Sequence, residues 1–175
     1  MKKILTVLLL LVAGIGYGQT WTYVSALPAP NPPINSIYAV DANTIWVACD
    51  ASGGAARVYV STNGGTSWTL RNGGLTSANS YGMFAFDATT AFVGNANGTL
   101  YKTTNGGVNW TQVLAVSGSF TNGVYMFNTN YGIYVGDPTG SGQQFQFRMT
   151  NNGGNNWYLP TGVPTATVAN EWGVI

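Results

Sequence analysis

The sequence predicts an all-β fold of short antiparallel strands built from an internal repeat. Three observations carry that prediction. One eight-residue phrase occurs three times, as STNGGTSW at 61–68, TTNGGVNW at 103–110 and TNNGGNNW at 150–157. Its tryptophans, Trp68, Trp110 and Trp157, stand 42 and then 47 residues apart, and Trp21 stands 47 residues before Trp68. Between the copies, β-branched and aromatic runs alternate with Gly, Asn, Asp and Pro, and no helical periodicity appears. A spacing of this size makes the repeat, not the whole chain, the unit to reason about.

The first eighteen residues stand outside the repeat. Lys2 and Lys3 precede an apolar run from Ile4 to Ile15, and Gly16-Tyr17-Gly18 supplies small residues before Gln19. That pattern predicts a secretory signal peptide over 1–18. The run is shorter than the roughly 20 apolar residues of a spanning helix, so no membrane span is expected in the mature chain. Residues 19–175 suit one domain or a piece of one.

The elements follow in order. Trp21–Val24 is predicted as a strand, and a Pro-rich connector runs from Leu27 to Pro33. Ser36–Val40, Thr44–Ala48 and Arg57–Ser61 are predicted strands, separated by an Asp41-Ala42-Asn43 turn and an Asp50–Ala56 loop with Gly53-Gly54. The second set is Met83–Phe86, Ala91–Gly94, Thr99–Thr103 and Trp110–Val113. The third is Val124–Phe127, Gly132–Val135, Gln144–Met149 and Trp157–Leu159. Four short strands per unit of about 45 residues describe a β-propeller blade. A β-sandwich also has short strands, but not in sets of four behind one fixed turn phrase. The repeat units are 21–67, 68–109, 110–156 and 157–175. The expected architecture is thus an incomplete propeller, about three blades plus the start of a fourth. Trp21–Val24 reads as a fourth strand without its own first three. ANEWGVI at 169–175 aligns with ANSYGMF at 78–84, the first strand of a blade. Both points suggest a truncated ring.

The phrase itself reads as a structural turn. Asn63-Gly64-Gly65, Asn105-Gly106-Gly107 and Asn152-Gly153-Gly154 supply positions tolerant of positive φ. The hydroxyls of Ser61, Thr103 and Thr150 can satisfy turn amides. Trp68, Trp110 and Trp157 each offer a large ring to bury.

These residues resemble the Asp-box, or BNR, repeat, Ser/Thr-x-Asp-x-Gly-x-x-Trp, with Asn63, Asn105 and Asn152 in place of the Asp. The longer pattern is similar to the repeats of photosystem II assembly factor-like, sortilin-type, sialidase and xyloglucanase propellers. GDPTGSGQQFQFRMTNNGGNNW at 136–157 resembles the assembly factor-like group in particular. The resemblance covers residues 21–175. It implies a propeller with the box turns away from the active face, and it implies no single activity, because such propellers host hydrolases, receptors and assembly factors.

Composition narrows the chemistry. Lys and Arg number 6, Asp and Glu 5, and the net charge is +1. Arg57, Arg71, Lys102 and Arg148 are scattered, so nucleic acid is excluded as an expected partner. There is no His, which removes the usual general base and the usual imidazole metal ligand. No cofactor or metal is expected. Cys49 stands alone in an apolar run and reads as a small buried hydrophobe.

Alternation places the first-to-second turns with the Asn-Gly-Gly turns on one face. The second-to-third loops and the fourth-to-first connectors share the other, more variable face, where a protein or polysaccharide ligand is expected. Asp50 and Asp137 match on that face, with Asn95 between them. Two carboxylates could run glycoside hydrolysis at about 5–10 Å separation. They could hold Ca²⁺ with loop carbonyls, or simply cap turns. Arg57 and Arg148 are placed at matching third-strand positions, so the three-arginine cluster that a sialidase resemblance implies is not indicated. Tyr81, Phe120, Tyr125 and Trp172 could stack on sugar rings. The reading is a secreted, non-enzymatic binding or assembly module. The alternative is the N-terminal part of a xyloglucanase- or sialidase-like propeller hydrolase.

Overall fold

The computed structural model describes residues 22–167; residues 1–18, where a signal peptide is expected, Trp21, and the 169–175 segment with Glu171 and Trp172 lie outside them. Eleven strands run in chain order among the described residues: β1 (Ile34–Ala39), β2 (Ile45–Ser52), β3 (Ala55–Ser61), β4 (Thr69–Leu70), β5 (Ser80–Ala85), β6 (Ala91–Asn95), β7 (Thr99–Thr103), β8 (Thr111–Ala115), β9 (Thr121–Met126), β10 (Gly132–Gly136) and β11 (Gln146–Thr150). They form three antiparallel sheets whose strand order follows the sequence: β1-β2-β3-β4, β5-β6-β7-β8 and β9-β10-β11. This is an all-β, incomplete propeller, and each sheet is a blade.

Period-two alternation gives every strand two faces, and the blades stack through both. Trp46, Ala48, Val58 and Val60 of the first blade meet Met83, Ala85, Ala91, Val93, Tyr101 and Trp110 of the second. The opposite face of the second blade sends Phe84, Phe92 and Leu100 against Val124, Met126 and Tyr134 of the third. The second blade is therefore covered on both sides, which is why β6 is apolar almost throughout and buried at every position. β1, β5 and β9 lie side by side. Their close approach needs small residues: a Cβ on Gly82 would lie 3.3 Å from Gly123 Cα, and one on Gly94 would lie 2.2 Å from Thr121 Cγ2.

Several boundaries differ from the sequence expectation. The fourth strands begin after the tryptophan, at Thr69 and Thr111; in the second blade the Trp110 ring packs on Trp46 of the preceding blade. Trp157–Leu159 makes only one bridge, Tyr158 to Met149. In the first blade the next ladder bond is Arg71 N–H to Val58 O at 2.7 Å. The matching residue in the third blade is Pro160, which has no N–H to give. Residues 22–24 pair with no strand among the described residues, and Tyr23 and Val24 are exposed. The Asp50–Ala56 loop shrinks to a turn at Gly53-Gly54, with φ of 64° and 79°, so Asp50 sits on β2 itself.

Candidate ligand-binding face

The three Asn-Gly-Gly turns are superposable in their bonding. Ser61 Oγ accepts the Gly65 amide at 2.8 Å, and Thr103 and Thr150 accept those of Gly107 and Gly154 at 2.9 Å each. Each hydroxyl donates to the Asn63, Asn105 or Asn152 Oδ1 at 3.0–3.1 Å. The same Oδ1 accepts the amide of Ser67, Asn109 or Asn156 at 2.9–3.0 Å. The glycines Gly64, Gly65, Gly106, Gly107, Gly153 and Gly154 all have φ between 67° and 84°, where an L side chain is strained. Gly64, Gly106 and Gly153 donate to Asn43, Thr89 and Asn130, which fixes the Asn-Gly-Gly turns beside the first-to-second turns. Those neighbours are Asx turns: Asp41, Asp87 and Asn128 each accept two backbone amides. The Thr44 and Asn43 amides hold Asp41 below the usual carboxylate range. The Thr89 hydroxyl, followed by the Thr90 and Thr89 amides, does the same for Asp87. Asp41, Asp87, Asn128 and the three box Asn side chains on this face thus each serve a turn.

The tryptophans do not behave alike. Trp110 is 5% exposed, donates its Nε1 to Arg71 O at 2.9 Å and meets Trp46 edge-on at 6.0 Å. Trp157 packs edge-on against Phe92 and Tyr134 and donates to Gly154 O within its own turn. Trp68 packs on Leu27, Val47, Cys49 and Tyr59, and its buried Nε1 has no partner among the described residues.

The opposite face is organised by a repeated bulge. In each blade the ladder between the first two strands slips one residue near that end, between Ile34 and Ser36, Ser80 and Gly82, and Thr121 and Gly123. Asn35, Tyr81 and Asn122 are the unpaired residues. A bulge re-aims a side chain, and here it aims three equivalent ones at the variable face. Asn35 Nδ2 donates to Asp50 Oδ1 at 2.7 Å and to Ser80 O at 3.3 Å. Asn122 Nδ2 donates to Asp137 Oδ1, also at 2.7 Å. The backbone repeats too: the Asp50, Ala96 and Asp137 amides donate to Pro33 O, Asn79 O and Phe120 O. Ser119 Oγ adds a bond to Asp137 O at 2.7 Å. Between the two Asn–Asp pairs, Tyr81 pairs with Phe120 at 4.7 Å.

The register moves two sequence assignments. Ala96, not Asn95, stands level with Asp50 and Asp137. Asn95 pairs with Ser80 as Cys49 pairs with Ile34, is fully buried, and accepts from Ser80 Oγ at 2.8 Å, so its carbonyl faces the interior. Arg148 pairs with Tyr134, which puts it level with Tyr59 and Tyr101 and two residues beyond Arg57. Arg57 instead bonds Ser52 O. Burial, then the Asp50 charge, pushes the Cys49 thiol up to about 11, so it stays protonated. Among the described residues no three His, Cys, Asp or Glu side chains gather in one cluster, and no helix is long and apolar enough to cross a membrane. Asn35 and Asn122 escaped the sequence reading. Their signal was their shared distance before the Asp41 and Asn128 turns.

The fold has solved counterparts. The chain is similar to YCF48 bound to D1 peptide, with a TM-score of 0.58 and 16% identity over 77% of this chain and 42% of that one. It is similar to the GH74 xyloglucanase from Xanthomonas campestris, with a TM-score of 0.59 and 13% identity over 75% of this chain and 24% of that one. The GH74 enzyme of Niastella koreensis gives a TM-score of 0.58 and 15% identity over 74% and 23%. These likenesses establish the propeller fold. The chain spans less than half the length of each counterpart. No protein-family model and no curated protein sequence matches it.

Proposed function

We propose that this chain is part of a secreted, non-enzymatic propeller that binds a protein or polysaccharide ligand on the bulged face, with Asp-box-like turns as its structural side. The observation that carries the reading is the three-blade bulge, which turns Asn35, Tyr81 and Asn122 outward beside Asp50 and Asp137. Each carboxylate has an amide donor at 2.7 Å, an arrangement suited to presenting hydrogen-bond acceptors in fixed positions. The Tyr81–Phe120 pair adds a ring surface between them. Secretion rests on the basic, apolar and small-residue order of 1–18. The peptide bound to the YCF48 counterpart supports a protein ligand, and the two GH74 counterparts support a polysaccharide one.

The test is a parallel screen of the chain against peptide and oligosaccharide arrays. Binding should be lost in Asp50→Asn/Asp137→Asn and kept in Thr104→Ala, which lies by the Asn-Gly-Gly turns. Binding to neither array would sink the proposal. Oligosaccharide cleavage abolished by the double substitution would replace it with the hydrolase reading.

A further inference from the structure

Lys102 breaks the repeat. The ladder registers place it level with Val60 of the first blade and Met149 of the third, so the scaffold does not require a cation at this station. Its Nζ reaches to the box turn of the third blade, where it donates to Gly153 O at 2.8 Å and to Asn155 Oδ1 at 3.0 Å, and it lies over the Phe92 ring at 5.7 Å. Both acceptors are neutral, and no carboxylate among the described residues pairs with it. Burial holds the Lys102 ammonium below the usual lysine range, because a partly desolvated cation without a counter-ion is disfavoured. An ammonium has three donors, and two are engaged. Beside it lies a hollow of about 280 Å³ whose lining includes Lys102, Asn105, Asn109, Thr111, Val113 and Asn155. In the first box Asn63 Nδ2 is closed off by Ser67 Oγ at 2.9 Å. The second box carries Asn109 where the first carries Ser67. There the bonds use only the Asn105 Oδ1 and the Asn109 backbone, which leaves both side-chain NH₂ groups open among the described residues.

We propose that this hollow binds a hexuronate, with the sugar carboxylate on Lys102 Nζ, the ring hydroxyls on Asn105, Asn109 and Thr111, and the apolar edge of the ring on Val113. One ammonium matches one negative charge, whereas a phosphate dianion would keep a charge uncompensated. The other polar groups are neutral amides and a hydroxyl, which donate and accept as sugar hydroxyls do. The hollow lies at the small end of ligand-sized pockets, which limits the occupant to about one sugar ring. The site is separate from the bulged face, since Lys102 stands at the Asn-Gly-Gly end of β7.

Calorimetric titration of the full chain with galacturonate, galactose and inorganic phosphate tests this. Galacturonate should bind at least about tenfold tighter than galactose, the loss expected when a charge-assisted hydrogen bond is removed. Phosphate should not displace it. Lys102→Met, which installs the residue of the third-blade station, should weaken galacturonate by at least about tenfold and leave galactose unchanged. Asn109→Ala removes an exposed side chain that bonds nothing else among the described residues. It should weaken galacturonate several-fold with the urea midpoint unmoved, so the test holds even where Lys102→Met fails to fold. Asp50→Asn/Asp137→Asn should bind galacturonate as the wild type does; loss there would move the sugar to the bulged face and overturn the assignment. A wild type that binds no galacturonate, that binds galactose equally well, or that prefers phosphate would overturn it too, as would wild-type affinity in Asn109→Ala.

Discussion

Truncating the three repeated tryptophans separates a blade-to-blade role from a turn-only role. Trp110→Ala removes a ring that is 5% exposed, its edge-on contact with Trp46, and the donor to Arg71 O. Trp-to-Ala substitutions in packed cores cost about 3–5 kcal/mol. The aromatic pair contributes about 0.5–1.5 kcal/mol of that and the orphaned carbonyl about 1–3, so Trp110→Ala belongs near the top, at about 4–5 kcal/mol. Trp68 carries the same phrase but, among the described residues, meets no other blade and no aromatic ring edge-on, and its indole N–H has no partner. Its truncation should cost about 1–2 kcal/mol from apolar burial alone. Trp157, with two ring partners and a bond inside its own turn, falls between. Urea unfolding followed by far-ultraviolet circular dichroism measures the order. A companion Trp110→Phe keeps most of the burial and should lose about 1–2 kcal/mol. If Trp110→Ala and Trp68→Ala agreed within about 1 kcal/mol, the phrase would stabilise only its own hairpin, and the interblade account would be wrong.

Three further outcomes follow from the turns and the register. Gly154→Ala should destabilise by several-fold more than Gly142→Ala in the same unfolding assay. Both glycines have positive φ, worth about 1–2 kcal/mol to an L residue, but a Cβ at Gly154 would lie 2.4 Å from Phe92 Cε1 whereas Gly142 has open space. Asp87→Asn should lower neutral stability only slightly, since an Asn serves the same turn at Asn128, and should flatten the acid limb of a pH–stability profile. The folded pKa of Asp87 is depressed, so its contribution is present above the unfolded value of 3.8 and is lost as pH falls through the folded one; an acid limb identical in Asp87→Asn would contradict this. Arg148→Tyr should be neutral to stabilising, because it restores the residue found at Tyr59 and Tyr101 and removes a buried Nε without a partner; a loss above about 2 kcal/mol would mean the guanidinium is holding the blade.

The blades were legible because turn chemistry and apolar period agree at every repeat. Asn-Gly-Gly demands positive φ, the hydroxyl two residues earlier demands amides to bond, and the ring four residues after the first glycine demands a core. The bulges were not legible. An extra residue in one strand leaves the composition unchanged and shifts only the count, so Asn35 and Asn122 read as ordinary strand starts. The same slip misled the alignment of Asn95 and Arg148, where loops of unequal length hide which residue faces which. Trp21–Val24 read as a strand from its β-rich alternation, but a strand exists only where a partner ladder does, and residues 22–24 have none among the described residues.

Departures from the repeat now carry the functional information. On the Asn-Gly-Gly face the box and Asx-turn bonds recur three times with little variation, so those residues are accounted for by their turns. On the bulged face the backbone repeats while the side chains do not. The first and third blades place an Asn–Asp pair where the second places Tyr81 and Ala96. A purely structural position would have kept one solution, as the turns do, because the same backbone poses the same problem each time. Alternating acceptor and ring at one geometric station instead varies what solvent, or a ligand, meets while the scaffold beneath stays fixed. Exchanging the stations, by placing Asn and Asp at 81 and 96, should therefore leave unfolding midpoints within about 1 kcal/mol and change array binding. A large stability loss with unaltered binding would return those residues to the scaffold.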